Sequence, residues 1–185
     1  MKRLFSAIDI LPSPNFLNVY YELKAKLRDD KIKWVETENI HITLKFFGET
    51  REEKIPEICL ALKDAALRSQ PFDLTLNHIG VFGGFYKPRV VWIGIEGSEE
   101  LRILAQNVMT NLQTIGYAQE EEEFTPHLTI GRIKYINDKK YFSQVIEKQK
   151  DVFIQKSHVE NIHLYESLLR PEGPVYTIIE SFTLS

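Results

Sequence analysis

Two tetrapeptides in this chain carry the same pattern of side chains, His41-Ile42-Thr43-Leu44 and His127-Leu128-Thr129-Ile130. On a β-strand alternate residues share a face, so each copy aims an imidazole and a hydroxyl one way and two aliphatics the other. Imidazole titrates at about 6.5, so near neutrality one ring can take a proton while another gives one. Placed on opposite sides of a phosphorus, two such rings would serve in-line displacement at a phosphodiester. One activates the attacking water and the other protonates the departing oxygen. A threonine hydroxyl beside each ring would hydrogen-bond a non-bridging oxygen and hold the charge that develops there. No step in that scheme uses a metal ion. A single His-x-Thr is commonplace on strands; here two copies open their strands in matching places.

Positioning two such motifs takes strands backed by helices, and the chain reads as both. Residues 4–10 form a short apolar strand closed by Pro12. Ser13 and Pro14 are an N-cap and first-turn proline for a helix to about Arg28, with Phe16, Leu17, Tyr20, Leu23 and Leu27 at helical spacing. Trp34-Val35 is a short extended piece, and residues 40–47 are a strand ending at Gly48. A helix over 51–68 buries Ile55, Ile58, Cys59, Leu62, Ala65 and Ala66. Residues 72–82 and 89–95 are strands joined by Gly83-Gly84-Phe85-Tyr86-Lys87-Pro88.

The order then repeats. Ser98, with Glu99 and Glu100, opens a helix to about Ile115, and Gly116 is its C-cap. The charge run Glu120 to Glu123 is a solvated loop, followed by a strand over 127–133 and a helix over 138–148. Strands over 152–165 and 175–184 close the chain, separated by Pro171-Glu172-Gly173-Pro174. Each histidine strand is followed by a helix and then strands. The expectation is one α+β domain over residues 1–185 with two pseudo-symmetric lobes, one motif (41–44, 127–130) in each.

Bulk properties bound the function. With 43% hydrophobic and 26% charged residues the chain is globular rather than disordered. A net charge of −3 provides no global field for long nucleic acid, so a nucleic-acid substrate would be short, terminal or held by a local basic patch. The single Cys59 excludes an internal disulfide and suits a reducing, cytoplasmic setting. Asp9, Pro12 and Pro14 interrupt the apolar start, which argues against a signal peptide, and no apolar run reaches the roughly 20 residues of a membrane span.

The flanks of the motifs narrow the reading. Asn39-Ile40-His41-Ile42-Thr43-Leu44-Lys45-Phe46-Phe47-Gly48 and Phe124-Thr125-Pro126-His127-Leu128-Thr129-Ile130-Gly131-Arg132 resemble the two motifs of the 2H (two-histidine) phosphoesterase superfamily. The branch they most resemble is the bacterial and archaeal RNA 2′,3′-cyclic phosphodiesterases, historically called 2′–5′ RNA ligases (LigT-like). The likeness extends to Arg3-Leu4-Phe5-Ser6-Ala7-Ile8-Asp9, to Lys87-Pro88-Arg89-Val90-Val91-Trp92-Ile93-Gly94 and to Leu164-Tyr165-Glu166-Ser167, and so spans nearly the whole chain.

The resemblance implies a bilobal α+β fold, two similar lobes of antiparallel sheet with outer helices around a central cleft. It also implies a reaction without metal or cofactor that opens a 2′,3′-cyclic phosphate to a 2′-phosphate. By motif position His41 would be the proton donor, His127 the acceptor, and Thr43 and Thr129 phosphate ligands; sequence symmetry alone permits the opposite split. Arg132 corresponds to a phosphate-clamping arginine. Strict alternation turns it away from His127, and a bulge at Gly131 would redirect it. Lys45 and Phe47 share the His41 face by parity, as substrate contacts or as solvated and core residues, and Arg89 stands at a strand start within reach of a cleft rim. His78, His158 and His163 lack ligand-spaced neighbours and read as structural, and Trp34 and Trp92 as core. The expected partners are RNA ends, tRNA halves among them, or small cyclic nucleotides, bound by a monomer with no membrane attachment. The same site run backwards would join 2′,3′-cyclic and 5′-hydroxyl ends as a 2′-5′ ligase. A silent RNA-end or nucleotide binder is the non-enzymatic alternative.

Overall fold

The computed structural model describes residues 1–84, 86–96, 99–118, 124–171 and 173–185. The expected cap at Ser98 and the charge run at 120–123 lie outside them, as do Phe85 and Glu172 of the two connections. In chain order the elements are β1 (Lys2–Asp9), α1 (Pro14–Lys26), β2 (Lys31–Trp34), β3 (His41–Thr50), α2 (Ile55–Leu67), β4 (Phe72–Phe82) and β5 (Val90–Glu96). They continue with α3 (Glu99–Thr114), β6 (His127–Tyr135), α4 (Lys139–Glu147), β7 (Phe153–Val159), β8 (Asn161–Leu169) and β9 (Pro174–Thr183).

Local chemistry sets several of these ends. The Ser13 hydroxyl accepts the Phe16 amide at 3.1 Å, and Pro14 supplies a preset first turn, so α1 starts where the sequence signals it. Asp138 accepts the Tyr141 amide at 3.0 Å and starts α4 in the same way. Gly116, at φ +94°, follows α3 in the left-handed conformation that a C-cap needs.

Antiparallel pairing builds two sheets, one ordered β3-β1-β8-β9 and the other β2-β6-β5-β4-β7. The α+β class is as expected, but the connectivity is not sequential. The strands β4 and β5 that follow the first motif join the sheet of the second, and β8 and β9 that follow the second join the sheet of the first. Each lobe is therefore completed by the other half of the chain. The helices divide between the sheets: α2 packs on β8 and β9 and α3 on α2 and β3, while α1 packs on β7 and α4 on β4.

One expected strand divides. Residues 152–165 form β7 in one sheet and β8 in the other, with the break at Glu160, whose carbonyl accepts the Leu184 amide at 2.8 Å. Apolar alternation continues through such a crossing, so the pattern does not mark where the chain leaves a sheet.

A single apolar core joins the helix-facing sides of both sheets. It contains Phe16, Tyr20 and Leu23 of α1, Ile58 and Leu62 of α2, Phe142 of α4, and Ile42, Leu128, Ile130 and Val91 of the strands. Full burial of each large side chain contributes about 1.5–3 kcal/mol. A separate small cluster of Phe5, Ala7 and Tyr165, with Tyr176 against it, lies on the opposite face of the first sheet. No described helix is long and apolar enough to cross a membrane.

Candidate active site

Both histidines are the first residue of their strands, and β3 and β6 touch across the two sheets. Aliphatic alternation fixes the facing in each motif: Ile42 and Leu44, and Leu128 and Ile130, are buried, while His41, Thr43, His127 and Thr129 are half-buried. In the first sheet His41 pairs with Asp9 and Thr43 with Ala7 on β1. In the second, His127 pairs with Gly94 and Thr129 with Trp92 on β5. One imidazole and one hydroxyl thus rise from each sheet on the side away from the helices.

The register explains Arg132. Trp92 is opposite Thr129 but Val91 is opposite Gly131, so Ile130 is the extra residue of a bulge. The expected bulge occurs one residue earlier than Gly131 and has the expected effect. Gly131 turns to the core side, where an added Cβ would lie 2.9 Å from Ile32 Cγ2 and 3.2 Å from Trp34 Cε3. Arg132 then takes the His127 face, opposite Val90 and Lys33. Its charge reaches the other sheet, where it disfavours protonation of His41 and favours ionisation of Tyr176.

The two rings are held alike. His41 Nδ1 lies 2.7 Å from the Asn39 carbonyl and His127 Nδ1 lies 2.8 Å from the Thr125 carbonyl. A carbonyl only accepts, so Nδ1–H donates in both, and Nε2 is left for chemistry. The Asn39 side chain in turn donates to the Pro174 carbonyl at 3.2 Å, which ties the loop before β3 to β9. Aromatic neighbours fix the ring planes. His41 lies against Phe5 at 5.0 Å and meets Tyr176 edge-on at 5.3 Å, and His127 meets Phe82 edge-on at 4.8 Å.

Four neighbouring influences act on the protonation of His41. Burial pushes the His41 pKa below its ordinary value, and the Arg132 charge pushes the same way, opposed by the Asn39 carbonyl and the Asp9 carboxylate. With Nε2 as a lone pair a ring accepts a proton, and with Nε2–H it donates one. The pair, with two hydroxyls and a guanidinium, is equipped for proton transfer at an anionic centre.

Three expected contacts fall elsewhere. After a bulge at Leu44, Lys45 registers with buried Ser6, out of phase with His41 and Thr43. A second bulge, at Phe47, sends that ring against Tyr117 at 5.2 Å and the main core, so it is not on the His41 face. Arg89 has its carbonyl bonded by the Ile133 amide at 2.8 Å, one residue out of phase with the Val90–Arg132 pair, and the register turns it from the His127 face.

Alternation missed Phe46, which registers with Phe5, meets it at 5.9 Å and is 59% exposed on the sheet face that carries His41. It also missed Phe82, Trp92 and His78, which line the His127 face although Trp92 reads as core and His78 as structural. His158 and His163 do bond locally, to Asp73 at 2.6 Å and Ser181 at 2.8 Å. Among the described residues no group of three or more His, Cys, Asp or Glu converges as a metal site would require.

Comparison with known proteins identifies the family. The profile of the 2′-5′ RNA ligase superfamily matches residues 19–169. A Methanocaldococcus jannaschii protein named RNA 2′,3′-cyclic phosphodiesterase is 39% identical over 180 residues, covering 97% of this chain and 99% of that one. An Aquifex aeolicus protein of the same name is 36% identical over 188 residues, covering 100% and 99%. Among solved structures, E. coli LigT complexed with 3′-AMP superposes with a TM-score of 0.77 at 25% identity, covering 100% of this chain and 98% of that one. A Thermus thermophilus protein superposes with a TM-score of 0.78 at 29% identity, covering 98% and 97%. The chain belongs to the 2′-5′ RNA ligase superfamily, the two-histidine phosphoesterases that its motifs resemble.

Proposed function

We propose that this protein opens RNA 2′,3′-cyclic phosphate ends to 2′-phosphomonoesters by acid–base catalysis between His41 and His127. The observation that carries this reading is the matched tethering of the two imidazoles. Each rises from its own sheet with Nδ1–H spent on a carbonyl two residues upstream and Nε2 left to transfer a proton. The near full-length relatives named RNA 2′,3′-cyclic phosphodiesterase support the substrate class.

In this mechanism His127 Nε2 takes a proton from water as the water oxygen attacks phosphorus. The P–O3′ bond breaks, and His41 Nε2–H protonates the departing O3′. Thr43 and Thr129 donate hydrogen bonds to the non-bridging oxygens, and Arg132 balances their charge. Burial keeps His41 neutral more readily than a free imidazole, which by itself opposes a donor role. A bound phosphate adds negative charge beside the ring and offsets Arg132, so substrate itself favours the protonated donor. One chain supplies both rings, so a monomer suffices, and the buried free Cys59 suits the cytoplasm. Short RNA ends, tRNA halves among them, suit a chain of net charge −3.

The test uses the variants His41→Ala and His127→Ala. Each should lose about 10²–10⁴-fold in kcat on a 2′,3′-cyclic nucleotide. A substrate with sulfur in place of O3′ needs little protonation of its leaving group, so it should rescue His41→Ala and not His127→Ala. Full activity in either variant on the oxygen substrate overturns the reading.

A further inference from the structure

His78 stands on the His127 face of the second sheet in a backbone conformation rare for a residue with a side chain. Among the described residues it is the one non-glycine with positive φ, at +40°, a region disfavoured for any residue with a Cβ. It is the extra residue of a bulge, since Asn77 pairs with Gly94 and Ile79 with Ile93. Its amide donates to the Val152 carbonyl at 2.8 Å, and its Nδ1 bonds Asn77 Oδ1 at 2.9 Å.

The bulge lays the ring across the neighbouring strand. A Cβ added at Gly94 would lie 2.0 Å from His78 Cε1 and 2.1 Å from Nε2, so the far edge of the ring occupies that position. Gly94 is the cross-strand partner of His127. Such partners hold their Cβ atoms about 5 Å apart, so His78 Nε2, 2.1 Å from the Gly94 position, is roughly 3–7 Å from His127 Cβ and on the same face of the sheet. A second glycine makes a second seat: a Cβ at Gly80 would lie 2.3 Å from Trp92 Cζ2. The rings then run continuously, His78 edge-on to Trp92 at 5.4 Å, Trp92 to Phe82 at 5.2 Å and Phe82 to His127 at 4.8 Å.

An aromatic wall that carries one ring nitrogen beside a phosphate site has the chemistry of a nucleobase seat, where faces stack the base and the nitrogen bonds its edge. A residue that only filled space here would be better replaced by glycine, and strain of this kind persists where the position is used. We propose that Phe82, Trp92 and His78 seat the base of the terminal nucleotide, with His78 the specificity-determining member. The inference rests on the cyclic phosphodiesterase reading of the site.

The experiment measures kcat/KM for adenosine 2′,3′-cyclic phosphate against abasic ribose 2′,3′-cyclic phosphate. It compares wild type with His78→Gly, His78→Asn and Gly94→Ala, together with Tm. Glycine and asparagine tolerate positive φ, and the methyl added by Gly94→Ala displaces the ring while leaving residue 78 intact. The nucleoside-to-abasic ratio should fall about tenfold in all three, as expected for losing one base contact, and Tm of His78→Gly should not fall. An unchanged ratio, or equal loss on both substrates with a lower Tm, makes His78 a packing residue and overturns the proposal. Wild type opening neither substrate removes the parent reading as well, whereas active wild type with an unchanged ratio removes the seat alone.

Discussion

Replacing Asp9 by Asn tests which imidazole donates the proton. Asp9 and His41 are directly paired across β1 and β3, and the Asp9 carboxylate favours the protonated ring. Cross-strand partners hold their side chains about 5 Å apart. Asp9 is exposed, so an effective dielectric nearer water than protein applies, and Coulomb's law gives about 1 kcal/mol. That free energy is a factor of about five in the protonation equilibrium of the ring. Asp9→Asn therefore lowers the His41 pKa. If His41 is the donor, its protonated fraction limits the alkaline arm of the kcat/KM–pH profile, and that arm falls about fivefold. The acidic arm, where His41 is fully protonated in both proteins, stays put. If His41 were the base, the alkaline arm would hold and the acidic arm would rise by the same factor. Profiles of both proteins from pH 5 to 9 on a 2′,3′-cyclic nucleotide decide between these results, and the second refutes the assignment.

Two further expectations concern the scaffold. Gly131→Val would drive side-chain atoms into Ile32 and Trp34, already 2.9 Å and 3.2 Å from the Cβ position. It should cost about 1–3 kcal/mol in denaturant unfolding and raise KM by disturbing the turn that aims Arg132. Burial pushes the Cys59 thiol up to about 12, so native protein should resist iodoacetamide at pH 8 and react promptly once unfolded, as followed by mass spectrometry.

The motifs were legible because their chemistry and their alternation coincide. His41, Thr43, His127 and Thr129 are polar in motifs whose alternate residues, Ile42, Leu44, Leu128 and Ile130, are all aliphatic, so their direction follows from period two alone. Helix starts were legible for an equally local reason, a cap at Ser13 or Asp138. Parity failed where the backbone inserts a residue. The bulges at Leu44, Phe47 and Ile130 are fixed by pairing with β1 and β5, partners that no short window contains. They exchange Phe46 for Phe47 at the site and bring Arg132 in. Strand exchange between the sheets was hidden because an apolar strand records that it is buried, not which sheet buries it. For His78 a faint signal existed, a histidine two residues before Gly80, but only the register with Gly94 gives it meaning.

Two imidazoles that open a cyclic phosphate in this way must do so with defined regiochemistry and no metal. Incubating the protein with an oligonucleotide ending in a 2′,3′-cyclic phosphate, in excess EDTA, and reading the product by phosphorus NMR tests this directly. The expected product is a 2′-phosphomonoester, formed at the rate seen without chelator. A 3′-phosphate, an unopened ring, or a reaction abolished by EDTA would contradict the two-imidazole mechanism.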